Sequence, residues 1–227
     1  MWSLSLASTL VLASVVSAHF VLDYPTARGF DEDTLVNFPC GGQNSVSSNR
    51  TTVSTDGFAI ELTMGHDEAA VEVLLGLGND PGESFNIVLK QTFREEGLGS
   101  FCLSDVTLPS SLNLTDGQNA TLQVITNGDP DGGLYNCADI TFSTATTESV
   151  PSTCKNGTGV TAVAFSGTAA IRNANESTAE GESQSGSSSP SSTSAAATSS
   201  PTSNPAAVMA VSWGFLGAAV IGAVAAL

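Results

Sequence analysis

The sequence predicts an all-β protein, an immunoglobulin- or fibronectin-like antiparallel β-sandwich with two disulfides. Short runs in which apolar and polar residues alternate are typical of half-buried strands. Clusters of Gly, Asn, Asp and Pro separate these runs, and no apolar stripe with helical spacing lasts for three turns. About seven short strands fit a sandwich or a small barrel, and a globular part of roughly 150 residues favours the sandwich.

The strand pattern is clearest between Phe58 and Met64, where large apolar residues alternate with Ala, Glu and Thr. Because successive side chains of a strand point to opposite faces, this run should bury one face. Further strands are predicted at residues 71–75, 85–93, 121–126, 134–142 and 160–165. Residues 79–82 and 127–133 carry the Asn, Asp, Pro and Gly that favour tight turns.

Residues 1–18 read as a secretory signal peptide. The stretch from Leu4 to Val16 is almost wholly apolar, and it is too short to span a bilayer. Small residues at Val16 and Ala18 favour cleavage directly after Ala18, which would make His19 the first residue of the mature protein. No Lys or Arg precedes the apolar run, so an uncleaved membrane anchor is the alternative.

The C-terminal part predicts a tether. After a folded domain at residues 19–172, residues 173–205 are rich in Ser, Thr and Ala and read as a disordered stalk. Residues 206–227 are apolar and uncharged, which indicates a removed signal for a glycosylphosphatidylinositol (GPI) anchor attached near Ser194. The predicted location is the extracellular face of the plasma membrane, or the cell wall. A type I span without a cytoplasmic tail is the alternative.

Cysteines and sequons agree with a secretory route. Four cysteines in an exported domain predict two disulfides, whose pairing the sequence leaves open. They are Cys40, Cys102, Cys137 and Cys154. N-glycosylation is predicted at five Asn-x-Ser/Thr sites. These are Asn49, Asn113, Asn119, Asn156 and Asn175.

The charge balance narrows the choice of partners. The chain has 22 acidic residues against six Lys and Arg, for a formal net charge of −16. Phosphate backbones are bound by clustered cationic side chains, so nucleic acid is excluded as a partner. An acidic surface concentrates cations instead.

The chain contains two histidines, His19 and His66. A first-residue histidine offers its α-amine and its ring Nδ1 to one metal ion, and His66, just after the strand at 58–64, could supply a third nitrogen. Three nitrogens in a tetragonal arrangement suit Cu(II), which also has the highest affinity among the divalent first-row metals. These nitrogens must be deprotonated to bind, which their ordinary pKa values allow near neutral pH. A lone histidine at a strand end is otherwise a solvated residue.

Two further motifs accompany the histidines. Residues 38–42 read Phe-Pro-Cys-Gly-Gly, and residues 135–140 read Tyr-Asn-Cys-Ala-Asp-Ile. With a predicted N-terminal histidine, a second histidine on a later loop, a stalk and an anchor signal, the chain resembles the fungal copper acquisition factor family over residues 19–170. Members of that family are similar to lytic polysaccharide monooxygenases in fold and in their histidine brace.

The resemblance implies a ligand set. His19 would be the bidentate brace residue, His66 the third nitrogen ligand and Asp139 a carboxylate ligand of one Cu(II). Strand alternation places Asp139 on the same face as Tyr135 and Cys137. Without the resemblance, Asp139 reads as a surface or turn-capping residue. Asp67 is the competing carboxylate, because it follows His66 directly.

The resemblance also implies the function, copper acquisition and homeostasis at the cell surface without polysaccharide cleavage. Copper would pass to a plasma-membrane importer or form a pool in contact with cell-wall glycan. An anionic ligand near copper should discourage its reduction. The mature domain also lacks Trp and has only Tyr24 and Tyr135 for stacking on sugars. The alternatives are a copper-dependent monooxygenase acting on cell-wall polysaccharide and a structural wall glycoprotein without metal.

Overall fold

The computed structural model describes residues 19–128, 132–146 and 150–184, and these residues form nine strands and a few helical turns. In chain order the strands are β1 (Phe20–Tyr24), β2 (Thr51–Ser54), β3 (Gly57–Met64), β4 (Glu68–Leu77), β5 (Ile87–Glu96), β6 (Gly99–Thr107), β7 (Asn119–Asn127), β8 (Gly133–Ser143) and β9 (Thr161–Ala164). One short helix, α1, covers Thr168–Ile171, and single 3-10 turns lie at Glu32–Thr34, Ser110–Leu112 and Ala174–Glu176.

The strands form two sheets, which confirms the predicted sandwich. One sheet has the order β1-β3-β6 and the other the order β2-β8-β7-β4-β5-β9. All pairs are antiparallel except β2 and β8, which run parallel. The chain passes from β2 directly into β3 of the other sheet, so no hairpin sets the direction of β2. It adds to the edge of β8 that β7 leaves open.

The core lies between the sheets and explains the alternation seen at Phe58 to Met64. Phe58, Ile60, Leu62 and Met64 of β3 are at most 3% exposed and belong to one apolar cluster with residues of β4, β7 and β8. Burying one such side chain stabilises the fold by about 1.5–3 kcal/mol. In the larger sheet, β4 is buried on both faces. It covers Glu68–Leu77 and is longer than the predicted strand at 71–75.

A second apolar cluster covers the outer face of the larger sheet. It contains Ala70, Leu74, Ile125, Tyr135 and Ala174. The last of these belongs to a C-terminal segment whose described part ends at Gln184. The predicted start of the stalk at residue 173 was therefore wrong, because the apolar outer face of the sheet needs this cover. The remainder of the predicted stalk, residues 185–205, lies outside the described residues.

Two disulfides are present, as predicted, and the structure supplies their pairing. Cys40 bonds to Cys137, at a sequence separation of 97, and Cys102 bonds to Cys154, at a sequence separation of 52. The first ties the long segment between β1 and β2 to β8. The second ties β6 to the segment that precedes β9.

The described residues contain no helix that is long and apolar enough to cross a membrane. The predicted signal peptide, the attachment site near Ser194 and the apolar tail at 206–227 all lie outside these residues.

Candidate metal centre

His19 lies directly before β1, and strand register fixes its neighbour. Phe20 pairs with Met64 of β3, so the next pair along the ladder joins His19 to Gly65. The Gly65 N–H donates to the His19 carbonyl oxygen at 2.9 Å. Residues 19 and 65 are 46 positions apart in sequence, and only this antiparallel pairing brings them together.

Gly65 provides the space for the His19 ring. A Cβ atom at this position would lie 2.6 Å from the His19 carbonyl oxygen and 3.0 Å from Nε2. The imidazole therefore lies against the bare glycine backbone. The residue after this glycine is His66.

His66 lies in the three-residue connection that crosses from β3 in one sheet to β4 in the other. So short a connection holds its middle residue at the end of the sandwich. His19 and His66 line one cleft there. Its other walls come from β1, β3, β4 and β7, through Phe20, Met64, Glu68, Ala69, Thr126 and Asn127. The structure thus brings the two predicted nitrogen ligands to the same place.

Carboxylates lie close to both rings. Nδ1 of His19 is 3.5 Å from Oε1 of Glu32, and Nδ1 of His66 is 3.8 Å from Oδ1 of Asp67. The histidine side chains are 39% and 27% exposed, so both rings reach the surface at the cleft. Negative charge beside two imidazoles favours a cation in this cleft.

Asp139 is not part of this cleft. Its carboxylate is buried and accepts two parallel hydrogen bonds from Arg28, each of 2.9 Å. The Thr121 hydroxyl donates to Oδ1 at 2.7 Å, and the Ser47 N–H donates to Oδ2 at 2.7 Å. Burial alone would raise the pKa of Asp139, but these hydrogen bonds outweigh it and hold the pKa below its ordinary value. Both oxygens already have strong donors.

The strand ladder also separates Asp139 from the histidines. Asp139 pairs with Thr121 of β7, whereas Thr126, five residues further along the same strand, lines the histidine cleft. At about 3.4 Å per residue, the two places are roughly 17 Å apart. The expectation that Asp139 joins the histidines is therefore corrected. The carboxylate instead pairs with Arg28 and fixes the segment before β2.

The donor set at the cleft fits copper, provided that the chain is cleaved after Ala18. Among the described residues no group of three or more His, Cys, Asp and Glu side chains could hold a metal ion. The third nitrogen would have to be the α-amine of His19, which exists only in the processed protein. Two imidazoles and an amine are the ligands that Cu(II) prefers.

The sequence did not predict two features of this site or one contact outside it. Glu32 lies 13 residues from His19, and no pattern linked the two. The role of Gly65 had a visible signal, since a glycine directly before a candidate ligand can mark a close backbone approach. Arg28 was not matched to Asp139, because 111 residues separate them.

Glu95 adds a buried acid beside the cleft. It pairs in register with Ala69, which lines the cleft, and is 0% exposed. Neither carboxylate oxygen has a hydrogen-bond partner among the described residues. Burial raises the pKa of Glu95 to about 8, and the neighbouring charge of Glu96 adds to this increase. At neutral pH the group is therefore mostly protonated.

Comparisons with known proteins show which family the chain resembles. The profile of the BIM1-like copper acquisition factor domain matches residues 17–159, a range that includes both histidines. A protein of Aspergillus fumigatus described as uncharacterized is 56% identical, with 97% of this chain and 98% of the relative covered. The lytic polysaccharide monooxygenase-like protein X325 of Yarrowia lipolytica is 34% identical, with 79% and 70% covered. The copper acquisition factor BIM1 of Cryptococcus neoformans var. grubii is 30% identical, with 60% and 65% covered.

Proposed function

Because the chain belongs to the BIM1-like copper acquisition factor family, we propose that it is an extracellular Cu(II)-binding protein that serves copper acquisition. One Cu(II) ion, as cargo, would be held by the amine and Nδ1 of His19 and by the ring of His66. The observation that carries this proposal is the meeting of the only two histidines of the sequence at one partly exposed cleft.

Each residue of the cleft has a physical task in this proposal. Gly65 leaves room for the His19 ring, and the short connection between β3 and β4 holds His66 beside it. Glu32 and Asp67 add negative charge next to the two rings, which favours a bound cation. Copper when bound would supply a Lewis-acidic, redox-active centre.

The proposal includes a location and a direction of transfer. A signal peptide at 1–18 and a GPI signal at 206–227 would place the domain on the outer leaflet of the plasma membrane. The acidic chain would concentrate cations near that surface. Copper would then pass to a membrane importer or stay in a pool near cell-wall glycan.

Secretion from a eukaryotic host tests the central claim. N-terminal sequencing should find His19 as the first residue, and titration followed by electron paramagnetic resonance should show one Cu(II) bound through nitrogen. In a matched variant, a Gln inserted before His19 cyclises to pyroglutamate and removes the free amine but leaves both rings. Its Cu(II) affinity should fall by about a hundredfold or more, since one chelate ring is lost. Equal affinity in the two proteins would refute the brace.

A copper-dependent monooxygenase is the second candidate. Phe30 is 42% exposed, and its ring centroid lies 6.2 Å from that of His19. An exposed aromatic ring beside the copper ligand could contact a sugar ring. Copper-loaded protein supplied with a reductant and dioxygen as the oxidant would then release oxidised oligosaccharides from cell-wall polysaccharide, and a Phe30→Ala variant would release fewer. Absence of such products under conditions where Cu(II) is bound would leave copper acquisition as the function.

A further inference from the structure

The last described segment, residues 173–184, folds back onto the larger sheet, and we term it the C-terminal strap. Ala174 and Ser177 are 0% exposed. Its backbone closes on itself, with hydrogen bonds from Thr178 N–H to the Glu182 carbonyl and from Gln184 N–H to the Glu176 carbonyl. Such density of internal hydrogen bonds is that of a folded element and not of a flexible stalk.

Side chains tie the strap to the sheet at both ends. The Ala174 N–H donates to Glu72 of β4 at 3.1 Å, and the Asn175 side-chain amide donates to the Tyr135 hydroxyl at 3.2 Å. At the other end, Gln184 accepts from the Gly132 N–H at 2.6 Å and donates to the Gly132 carbonyl at 3.2 Å. The strap therefore also fixes the start of β8.

The seated strap forms part of a second cleft that adjoins the metal centre. Thr178, Ala179, Glu180 and Gln184 line this side cleft together with His66, Asp67 and Glu68. One side of His66 is thus walled by residues of the strap. The wall exists only while the strap lies on the sheet.

Asn175 is both a seating contact and the acceptor of a glycosylation sequon. The Oδ1 atom of Asn175 is buried. The Cβ atom of Asn175 packs against Gly133, where an added Cβ atom would lie only 2.5 Å from it. The acceptor nitrogen faces the Tyr135 hydroxyl. By contrast, the sequon residues Asn49, Asn113 and Asn156 are exposed.

We propose that seating of the C-terminal strap and N-glycosylation of Asn175 exclude each other, so that this sequon decides whether His66 has its outer wall. Glycan transfer from a lipid pyrophosphate-linked oligosaccharide breaks one Nδ2–H bond and joins that nitrogen to the anomeric carbon, with the lipid pyrophosphate leaving. A sugar on this nitrogen cannot share the space that Tyr135 and Gly133 occupy. A glycosylated strap must leave the sheet.

The exclusion itself does not depend on copper. Its consequence for the metal rests on the proposed function: Cu(II) held by His66 should exchange faster when the wall is absent. Failure of copper binding would therefore leave the seating claim standing, and failure of the seating claim would leave the copper site standing.

The test uses the full chain secreted from a glycosylating fungal host. Glycoforms are separated by occupancy of Asn175, and amide hydrogen exchange of residues 173–184 is measured in each. Molecules without sugar at Asn175 should show strap amides that exchange at least about tenfold more slowly than those of molecules with it. In the seated form, Cu(II) transfer to a competing chelator should also be slower.

A matched pair of variants isolates the sequon. Ser177→Ala removes it but keeps the Asn175 side chain, and the buried Ser177 hydroxyl has no hydrogen-bond partner within the described part of the chain. Thr158→Ala removes the exposed sequon at Asn156. The first variant should place all molecules in the protected form, and the second should leave the distribution unchanged. Gly133→Ala should unseat the strap and raise occupancy of Asn175.

Two outcomes would overturn the proposal. One is a glycoform that carries sugar at Asn175 while its strap amides stay protected. The other is a Ser177→Ala protein, free of sugar at Asn175, whose strap amides exchange as fast as those of an unfolded chain.

Discussion

Two regions of the molecule use polar side chains in opposite ways: the histidine cleft at the end of the sandwich and the surroundings of Asp139 in the larger sheet. At the histidine cleft, His19 and His66 are 39% and 27% exposed and lie on the chain just outside strands. Around Asp139, a buried carboxylate in the middle of a strand is bonded to Arg28, Thr121 and Ser47. The first region can accept an ion from solvent. The second has already used its acceptors inside the protein.

The difference between the two regions shows how a candidate metal ligand can be distinguished from a structural carboxylate. By residue type alone, Asp139 is as acceptable a copper ligand as His19 and His66. What separates them is the supply of competing donors, since a carboxylate that accepts a bidentate pair from an arginine is already neutralised. Substitutions in the two regions should therefore have opposite consequences, one for stability and the other for copper.

The largest effect is expected at Asp139. Asp139→Asn would leave the buried Arg28 without its charge partner, and loss of one member of a buried pair costs about 3–5 kcal/mol. Urea unfolding of the metal-free protein measures this loss. Asp116→Asn is the control, because Asp116 accepts hydrogen bonds from Ser143 and Thr144 at an exposed site and its loss should cost less. Copper affinity of the folded Asp139→Asn protein should stay the same. A weakened copper site with unchanged stability would reverse our assignment of the two regions.

His66→Ala should have the converse effect. We expect the Cu(II) affinity to fall about a hundredfold, or about 2.7 kcal/mol, because one of the three proposed nitrogen ligands is removed. The free energy of unfolding without copper should change by less than about 1 kcal/mol, as for other partly exposed positions. Competition titration and thermal unfolding with and without Cu(II) measure both quantities. Asp67→Asn, which changes the adjacent charge and keeps the ring, is the control.

The pH dependence of stability tests whether Glu95, the buried acid beside the cleft, is protonated in the folded protein. Its pKa rises from 4.5 to about 8 on folding, so the folded state keeps a proton that the unfolded chain loses. The free energy of unfolding should therefore fall as pH rises from 4.5 to 8, by about 1.4 kcal/mol per pH unit from this group.

Glu95→Gln should remove that part of the slope in urea unfolding at pH 5, 6, 7 and 8. Glu72, whose pKa burial raises to about 7, would keep its own part of the slope. A wild-type stability that rises over this range would contradict the assignment.

The smallest effect is expected at Gly65. Gly65→Ala would press a methyl group against the His19 carbonyl and ring, and we expect Cu(II) affinity to fall about tenfold through displacement of His19. Gly157→Ala is a matched control far along the chain from both histidines, where the new Cβ would lie 3.2 Å from a Val160 methyl group. If both variants lose the same affinity, close packing at Gly65 does not set the site.

Much of the fold could be read from the sequence because alternation is local. The run from Phe58 to Met64 predicts its strand and its buried face from seven consecutive residues. Both histidines could be found for a related reason, since the sequence has only two and one follows a predicted cleavage site. The stalk boundary failed because residues 173–184 have a polar composition, and their burial depends on an apolar sheet face that lies far away in sequence.

The sequence by itself determined a two-disulfide sandwich and the two candidate nitrogen ligands, since strand periodicity, cysteine count and a predicted cleavage site can all be read locally from the sequence. Tertiary structure alone decided which cysteines pair, that Asp139 belongs to Arg28, and that Glu32 and Gly65 adjoin His19. Each of these contacts joins groups that are distant in sequence. Strand register determines which groups meet, and register cannot be read from any single stretch of residues.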